Sequence, residues 1–449
     1  MWIVELTIVL GAIVIGARMG GIGIGLAGGL GTLVLALLGV QPGSIPIDVI
    51  LIIMAVITAI AAMQLAGGID YLVDVVEKLL RKYPQRITIL SPVVTYIMTM
   101  LAGTGHTAYA TLPIIAEVSK EQGIRPSRPL SISVVASQIA ITASPISAAV
   151  VVFAKMLEIE PFNVSYVQLL AITIPSSFIA CMITAVICNF LGVDLKDDPI
   201  YKERLAQGLI TIRGSSNREI LPHAKLSVWI FILAVCAVTF YAIGISNGVD
   251  LFGTNPPLKR DEAIMLFMLT AAIIIVFACK INVGELPNMP TFKSGMSASI
   301  CVLGVAWMGD TFVKAHIQDI TNLSIEILKT APWLLAVALF FASMLLYSQA
   351  ATTRSLMPSV LGLSVLDGAY VVTGEPLVGA ITAIASFASV SALFVLPTYP
   401  TLLAAIEMDE TGSTRIGKYI FNHSFLLPGI LAISIAVALG FLFGSMIIH

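Results

Sequence analysis

Two short stretches hold most of the groups in this chain that could bind or react. Residues 101–113 (LAGTGHTAYATLP) set two glycines, a histidine and three threonines into apolar sequence, and residues 347–358 (YSQAATTRSLMP) do the same with serines, a glutamine, threonines and an arginine. Glycine lets a backbone approach a ligand closely, and hydroxyls both donate and accept hydrogen bonds. A helix broken at such a stretch exposes free N–H groups and the positive end of its dipole, a combination suited to a carboxylate. Gly103, Thr104, Gly105, His106 and Thr107 are therefore candidate contacts at the first stretch. Ser348, Gln349, Thr352, Thr353 and Arg354 are their counterparts at the second.

Within those sets, His106 either donates to a ligand, titrates near neutral pH in proton coupling, or is hydrogen-bonded inside the turn. Arg354, about one helical turn past the second stretch, offers a planar fork for a carboxylate; the alternative is an arginine reaching outward to the membrane interface. Two further interruptions fall where a proline removes a backbone donor. Ser144, Pro145 and Ser147 surround one, and Pro397, Thr398, Tyr399 and Thr401 surround the other.

The elements that carry these groups follow from composition. Of 449 residues, 58% are hydrophobic and only 11% charged, against about 25% charged in soluble globular proteins. Apolar runs of about 20 residues recur, the length of a membrane-crossing helix, whereas barrel strands would alternate over about ten. The fold class is thus an all-α polytopic membrane protein. A net charge of −2, with Lys and Arg confined to short loops, implies no nucleic-acid partner. The five cysteines form no CxxC pair and stand as small apolar residues, so neither a disulfide nor a metal or other cofactor is expected.

Gly23, Gly25 and Gly28 match GxGxxG, with Asp48 twenty residues on, but no βαβ unit surrounds them. The spacing of Gly21, Gly25 and Gly29 instead suggests a face for close helix packing. No HExxH occurs, and the one Gly-x-Ser-x-Gly, residues 244–248, follows an apolar run rather than forming a strand-to-helix elbow, which argues against an enzyme. Glu5, Asp70 and Asp310 lie near span ends and are expected to be solvated, while Asn422 and His423 have a structural reading.

Taken in order, basic loops mark the cytoplasmic side. Arg18 and the loop at 77–86 place residues 21–40 and 47–66 as spans and the N-terminus outside. Both ends of segment 87–119 are cytoplasmic and each arm has only about 15 residues, so it is expected to be a re-entrant hairpin rather than two spans. A broken span at 131–152 and a span at 167–191 complete a first repeat over 1–193, and 194–225 is a cytoplasmic linker. The second repeat, 226–449, has three spans, a hairpin at 332–363, a broken span at 377–400 and a last span at 419–448, leaving the C-terminus outside. The count is about ten transmembrane helices plus two re-entrant hairpins, in two repeats of inverted topology. Inverted repeats with helices interrupted at matching positions are the pattern of secondary transporters, with substrate held near the midplane. A channel would require a continuous polar stripe along several spans, which the sequence lacks.

The segments GTGHTAYATLPIIAEVSKEQGIRP, QIAITASPISAAVV, LLYSQAATTRSLMP and FVLPTYPTLLAAIEMDETGSTRIGKYIFNHSF carry a more specific signal. Through them, and over almost its whole length, the chain resembles the bacterial anaerobic C4-dicarboxylate carriers (Dcu), and within them the DcuA branch. The resemblance implies an inner-membrane carrier exchanging fumarate, malate, succinate and aspartate; the loop charges, separately, put both termini in the periplasm. The resemblance leaves open an ion-coupled symporter, and a homo-oligomer is compatible with it. The implied partners are small dicarboxylates and the lipid bilayer.

Overall fold

The computed structural model describes residues 2–19, 22–210, 220–246, 251–252, 256–316, 328, 330–346, 348–366, 369–396, 399–417 and 422–448. In lipid an apolar segment can satisfy its backbone only internally, and these segments are helical. In chain order they are α1 (Trp2–Met19), α2 (Gly23–Leu37), α3 (Ile47–Leu65), α4 (Gly68–Lys82), α5 (Ile87–Ala102), α6 (Ala108–Glu121), α7 (Ser127–Ile139), α8 (Ala148–Leu157) and α9 (Tyr166–Cys188). There follow α10 (Pro199–Ala206), α11 (Ala224–Gly244), α12 (Arg260–Cys279), α13 (Pro290–Cys301) and α14 (Trp307–Ala315). The last are α15 (Leu334–Leu346), α16 (Gln349–Val360), α17 (Ala380–Ser386), α18 (Pro400–Met408) and α19 (Leu426–Ile447). Among the described residues, seven helical segments are long and apolar enough to cross a membrane, and Ala380–Val395 with Pro400–Met408, set at 53° to each other, make an eighth if the two count as one span. The protein is an all-α polytopic membrane protein.

Three features differ from the sequence expectation. The supposed loop at 77–86 is largely α4, whose Val73, Val76 and Leu80 are buried while Lys78 pairs with Asp74 at 2.7 Å toward solvent. Its charges mask an ordinary amphipathic period. A two-stranded antiparallel ribbon, β1 (Leu363–Leu366) with β2 (Ala369–Val372), follows α16, in register Leu363 to Val372 and Leu366 to Ala369. The glycine face on α2 is Gly25 and Gly28, not a row through Gly29, around which a Cβ would meet nothing within 4 Å. A Cβ on Gly25 would stand 2.3 Å from the Ile300 carbonyl, and one on Gly304 would stand 1.8 Å from that of Gly25. Backbones touch there, at a π-helical turn over Val302–Ala306 between α13 and α14.

The two halves interlock rather than sit side by side. α6 packs against α18 from the second half, α16 against α8 from the first, and α9 against α19. α3 packs against α12 and α13 of the second half.

The charged span ends are paired rather than free. Glu5 is buried and bonds His316; Asp310 accepts from the Ser44 N–H at 2.5 Å and pairs with Lys314 at 3.0 Å. The solvated expectation is corrected for both, because the end of α14 meets Glu5 and the loop between α2 and α3 meets Asp310; Asp70 is exposed. His423 is structural: one ring nitrogen donates to the Val395 carbonyl at 2.8 Å while the other accepts from the Phe425 N–H at 3.3 Å. Asn422 is exposed.

Candidate binding site

The first polar stretch turns the chain between α5 and α6. Gly103 ends α5 in the left-handed region at φ 68°, and its N–H bonds the Thr99 carbonyl at 2.8 Å. A side chain there would cost roughly 1–2 kcal/mol in backbone strain alone. Gly105–Thr107 form one 3-10 turn before α6 begins, with the Thr107 and Thr99 hydroxyls 3.1 Å apart. His106 belongs to this turn; its side chain lies outside the described residues.

The second stretch turns the chain between α15 and α16 by different means. Ser348 is extended and its Oγ accepts from the Ala351 N–H at 3.2 Å, capping α16. Thr352 and Thr353 are fully buried and donate to the Ser348 and Gln349 carbonyls at 2.8 and 2.7 Å.

At the first break, a 3-10 turn over Ala140–Ala143 ends α7, and Ser144 is extended. Ser147 restarts the helix, accepting from the Val150 N–H at 3.2 Å and donating to the Ile141 carbonyl at 2.7 Å. The Pro145 carbonyl accepts from the Tyr166 hydroxyl at 2.5 Å. At the second, Tyr399 precedes Pro400, the first residue of α18. Pro397 and Thr398 lie outside the described residues.

These four features meet at a cavity of about 350 Å³, within the roughly 300–1,000 Å³ range usual for ligand sites. The first turns of four helices open onto it: Thr107 before α6, Ala148 and Ala149 of α8, Ser348 to Ala350 at α16, and Tyr399 and Pro400 at α18. The facing wall comes from α3, through Ile52 to Ile60, and from α13, through Thr291, Ser294, Ser297 and Cys301. Gln64 fixes the start of α13, accepting from the Thr291 N–H at 3.1 Å and its hydroxyl at 2.6 Å. Among the described residues no Lys, Arg, Asp or Glu lines the cavity. What it presents to a ligand is helix N-termini, hydroxyls and an amide, framed by isoleucines.

The sequence candidates divide accordingly. Gly103, Thr104, Gly105, Thr107, Ser348, Gln349 and Tyr399 line the cavity together. Ser144, Pro145, Ser147, Thr352, Thr353 and Thr401 lie behind it, in the breaks and helix starts that shape it. Arg354 does not line it either: its guanidinium pairs with Asp48 in the first turn of α3, the pair being 12% and 28% exposed.

Sequence reasoning missed three groups. Ala148 and Ala149 line the cavity at the start of α8, and nothing in their identity marks that. Thr291, Ser294 and Ser297 recur at helical spacing along α13 and were legible as a polar face. Gln138 of α7 is fully buried and bonds both Gln349 and Tyr399; a lone amide seven residues before Pro145 in an apolar segment was its signal.

Comparison with known sequences gives the arrangement its family. The profile of a family described as anaerobic C4-dicarboxylate membrane transporter matches residues 1–448. The C4-dicarboxylate transporter DcuA of Wolinella succinogenes is 61% identical over 443 residues, 98% of this chain and 99% of that protein. Its namesake in Escherichia coli is 54% identical over 446 residues, 99% of each chain, and the anaerobic C4-dicarboxylate transporter DcuB of that species is 36% identical over 456 residues. The chain therefore belongs to the anaerobic C4-dicarboxylate membrane transporter family, a family of transporters rather than enzymes.

Proposed function

We propose that this protein is a secondary transporter that exchanges C4-dicarboxylates, among them fumarate, malate, succinate and aspartate, across the bacterial inner membrane by alternating access. The observation that carries this reading is the convergence of four helix N-termini on one cavity with no lining cation among the described residues. Each N-terminus behaves as roughly half a positive charge, so four sum to about two, the charge of a dianion. Dipoles and N–H groups bind a carboxylate without the deep well of a fixed arginine, which suits a site that must also release.

The two turns are then the tips of re-entrant hairpins, and 1–193 and 226–449 are inverted repeats. Reciprocal packing supports this: the return arm of each hairpin, α6 or α16, lies on the second part of the other half's broken helix, α18 or α8. The hairpins and broken helices form one moving unit, and α3 and α13 belong to the frame against which it slides, as in an elevator. The basic residues near α4, α6 and α7 face the cytoplasm and both termini the periplasm.

The test is counterflow in proteoliposomes. Labelled fumarate should accumulate in vesicles loaded with succinate or aspartate and not in empty ones. Equal flux into empty vesicles would replace exchange with uniport, ion-coupled symport or a channel.

A further inference from the structure

Gln138 lines no part of the cavity, yet it touches three of the four features that do. Its Oε1 accepts from the Tyr399 hydroxyl at 3.1 Å and from the Gln349 Nε2 at 3.3 Å. The same Gln349 nitrogen also lies 3.3 Å from the Gln138 carbonyl, while Gln138 Nε2 donates to the Ser137 hydroxyl at 3.1 Å. That Nε2 also faces the first turn, where a Cβ built on Gly105 would stand 2.6 Å away. One buried amide of the first half thus bonds the second turn and the second break, and lies against the backbone of the first turn. A buried amide network of this kind is stable only when its members are satisfied together, so loss of one member loosens the others.

We propose that Gln138 is the positioning residue of the transport site, holding Gln349 and Tyr399 at the geometry that recognises substrate and keeping them in register with Gly105. Acting through those two side chains, it sets apparent affinity rather than the rate of the conformational step. The proposal rests on the exchange reading above, which supplies the substrate.

The test uses the full chain in proteoliposomes, measuring succinate counterflow against substrate concentration. Gln138→Met keeps length and approximate volume and removes both polar functions. It should raise apparent KM for succinate about tenfold, the effect of losing one or two neutral hydrogen bonds, with maximal rate within about twofold of the parent. Tyr399→Phe should raise KM less, and in that background Gln138→Met should add less than it does alone, because both remove one shared bond. A merely structural role would instead lower maximal rate and melting temperature together and leave KM unchanged; that result, or strictly additive effects, overturns the proposal. Should Gln138→Met fail to fold, Gln349→Met and Tyr399→Phe read the same bonds from the other side, and unchanged KM in both is equally fatal. Absence of counterflow in the parent protein would instead refute the exchange reading.

Discussion

The two turns reach the same cavity with opposite materials. The first is built from backbone: a left-handed Gly103, a 3-10 turn, and a Gly105 with no room for a Cβ. The second is built from side chains: an extended serine that caps α16, two threonines bonded back to the helix, and Gln349 reaching across to the first half. The first turn therefore owes its shape to what is missing, and the second to what is attached. Substitution should be far more damaging at the first than at the second, and that asymmetry can be measured.

The largest effect is expected from Gly105→Ala. The added methyl meets the Gln138 amide at 2.6 Å and the Ser137 carbonyl at 3.2 Å, an overpacking that costs about 1–3 kcal/mol and should weaken dicarboxylate binding roughly tenfold to a hundredfold in titration calorimetry. Next comes Arg354→Ala, which leaves Asp48 without its guanidinium partner. The expected cost is about 2 kcal/mol, below the figure for a fully buried pair because Asp48 retains contact with water. Counterflow should slow about tenfold, and the double variant Asp48→Ala with Arg354→Ala should recover part of it. If Arg354 held substrate directly, the double variant would be no better than the single one.

Ser348→Ala should be milder, costing about 1 kcal/mol through loss of the cap on α16 and raising apparent KM roughly fivefold. The smallest effect on the site is expected from the linker. Asp198 is buried against Arg125 at 2.5 Å; burial opposes its charge, but the Ile200 N–H and the guanidinium outweigh that and hold its pKa below the usual aspartate value. A depressed carboxyl contributes stability above its unfolded pKa and loses it as pH falls through the native one. Melting temperature should therefore drop on acidification below about pH 4, and Asp198→Asn should flatten that slope while leaving KM for succinate unchanged.

Much of this site was legible in the sequence because polar residues are expensive inside lipid and so stand out. Gly103, Thr104, Gly105 and Thr107, with Ser348 and Gln349, announced themselves by composition. Thr352, Thr353 and Arg354 announced themselves equally, but sequence does not say whether a polar group satisfies a neighbouring carbonyl, a distant carboxylate or a ligand. Asp48 shows the difficulty: 306 positions from Arg354, it was visible only as part of a rejected motif. Ala148, Ala149 and the isoleucines of α3 could not be found, since apolar residues in an apolar chain carry no mark of lining a cavity. In the fold, the charges of α4 hid its amphipathic period, and the β1–β2 ribbon was absent from a topology counted in helical spans.

The central proposal is that the helix N-termini following the two turns, two of the four around the cavity, each hold one carboxylate of a single C4 dianion. It is tested most directly by comparing succinate with butyrate, its monocarboxylate counterpart, in equilibrium binding to the parent protein, Gly105→Ala and Ser348→Ala. The parent should prefer succinate strongly, and each variant should lose much of that preference, Gly105→Ala the more, because only one carboxylate remains well held. A preference for succinate unchanged in both variants would contradict the account.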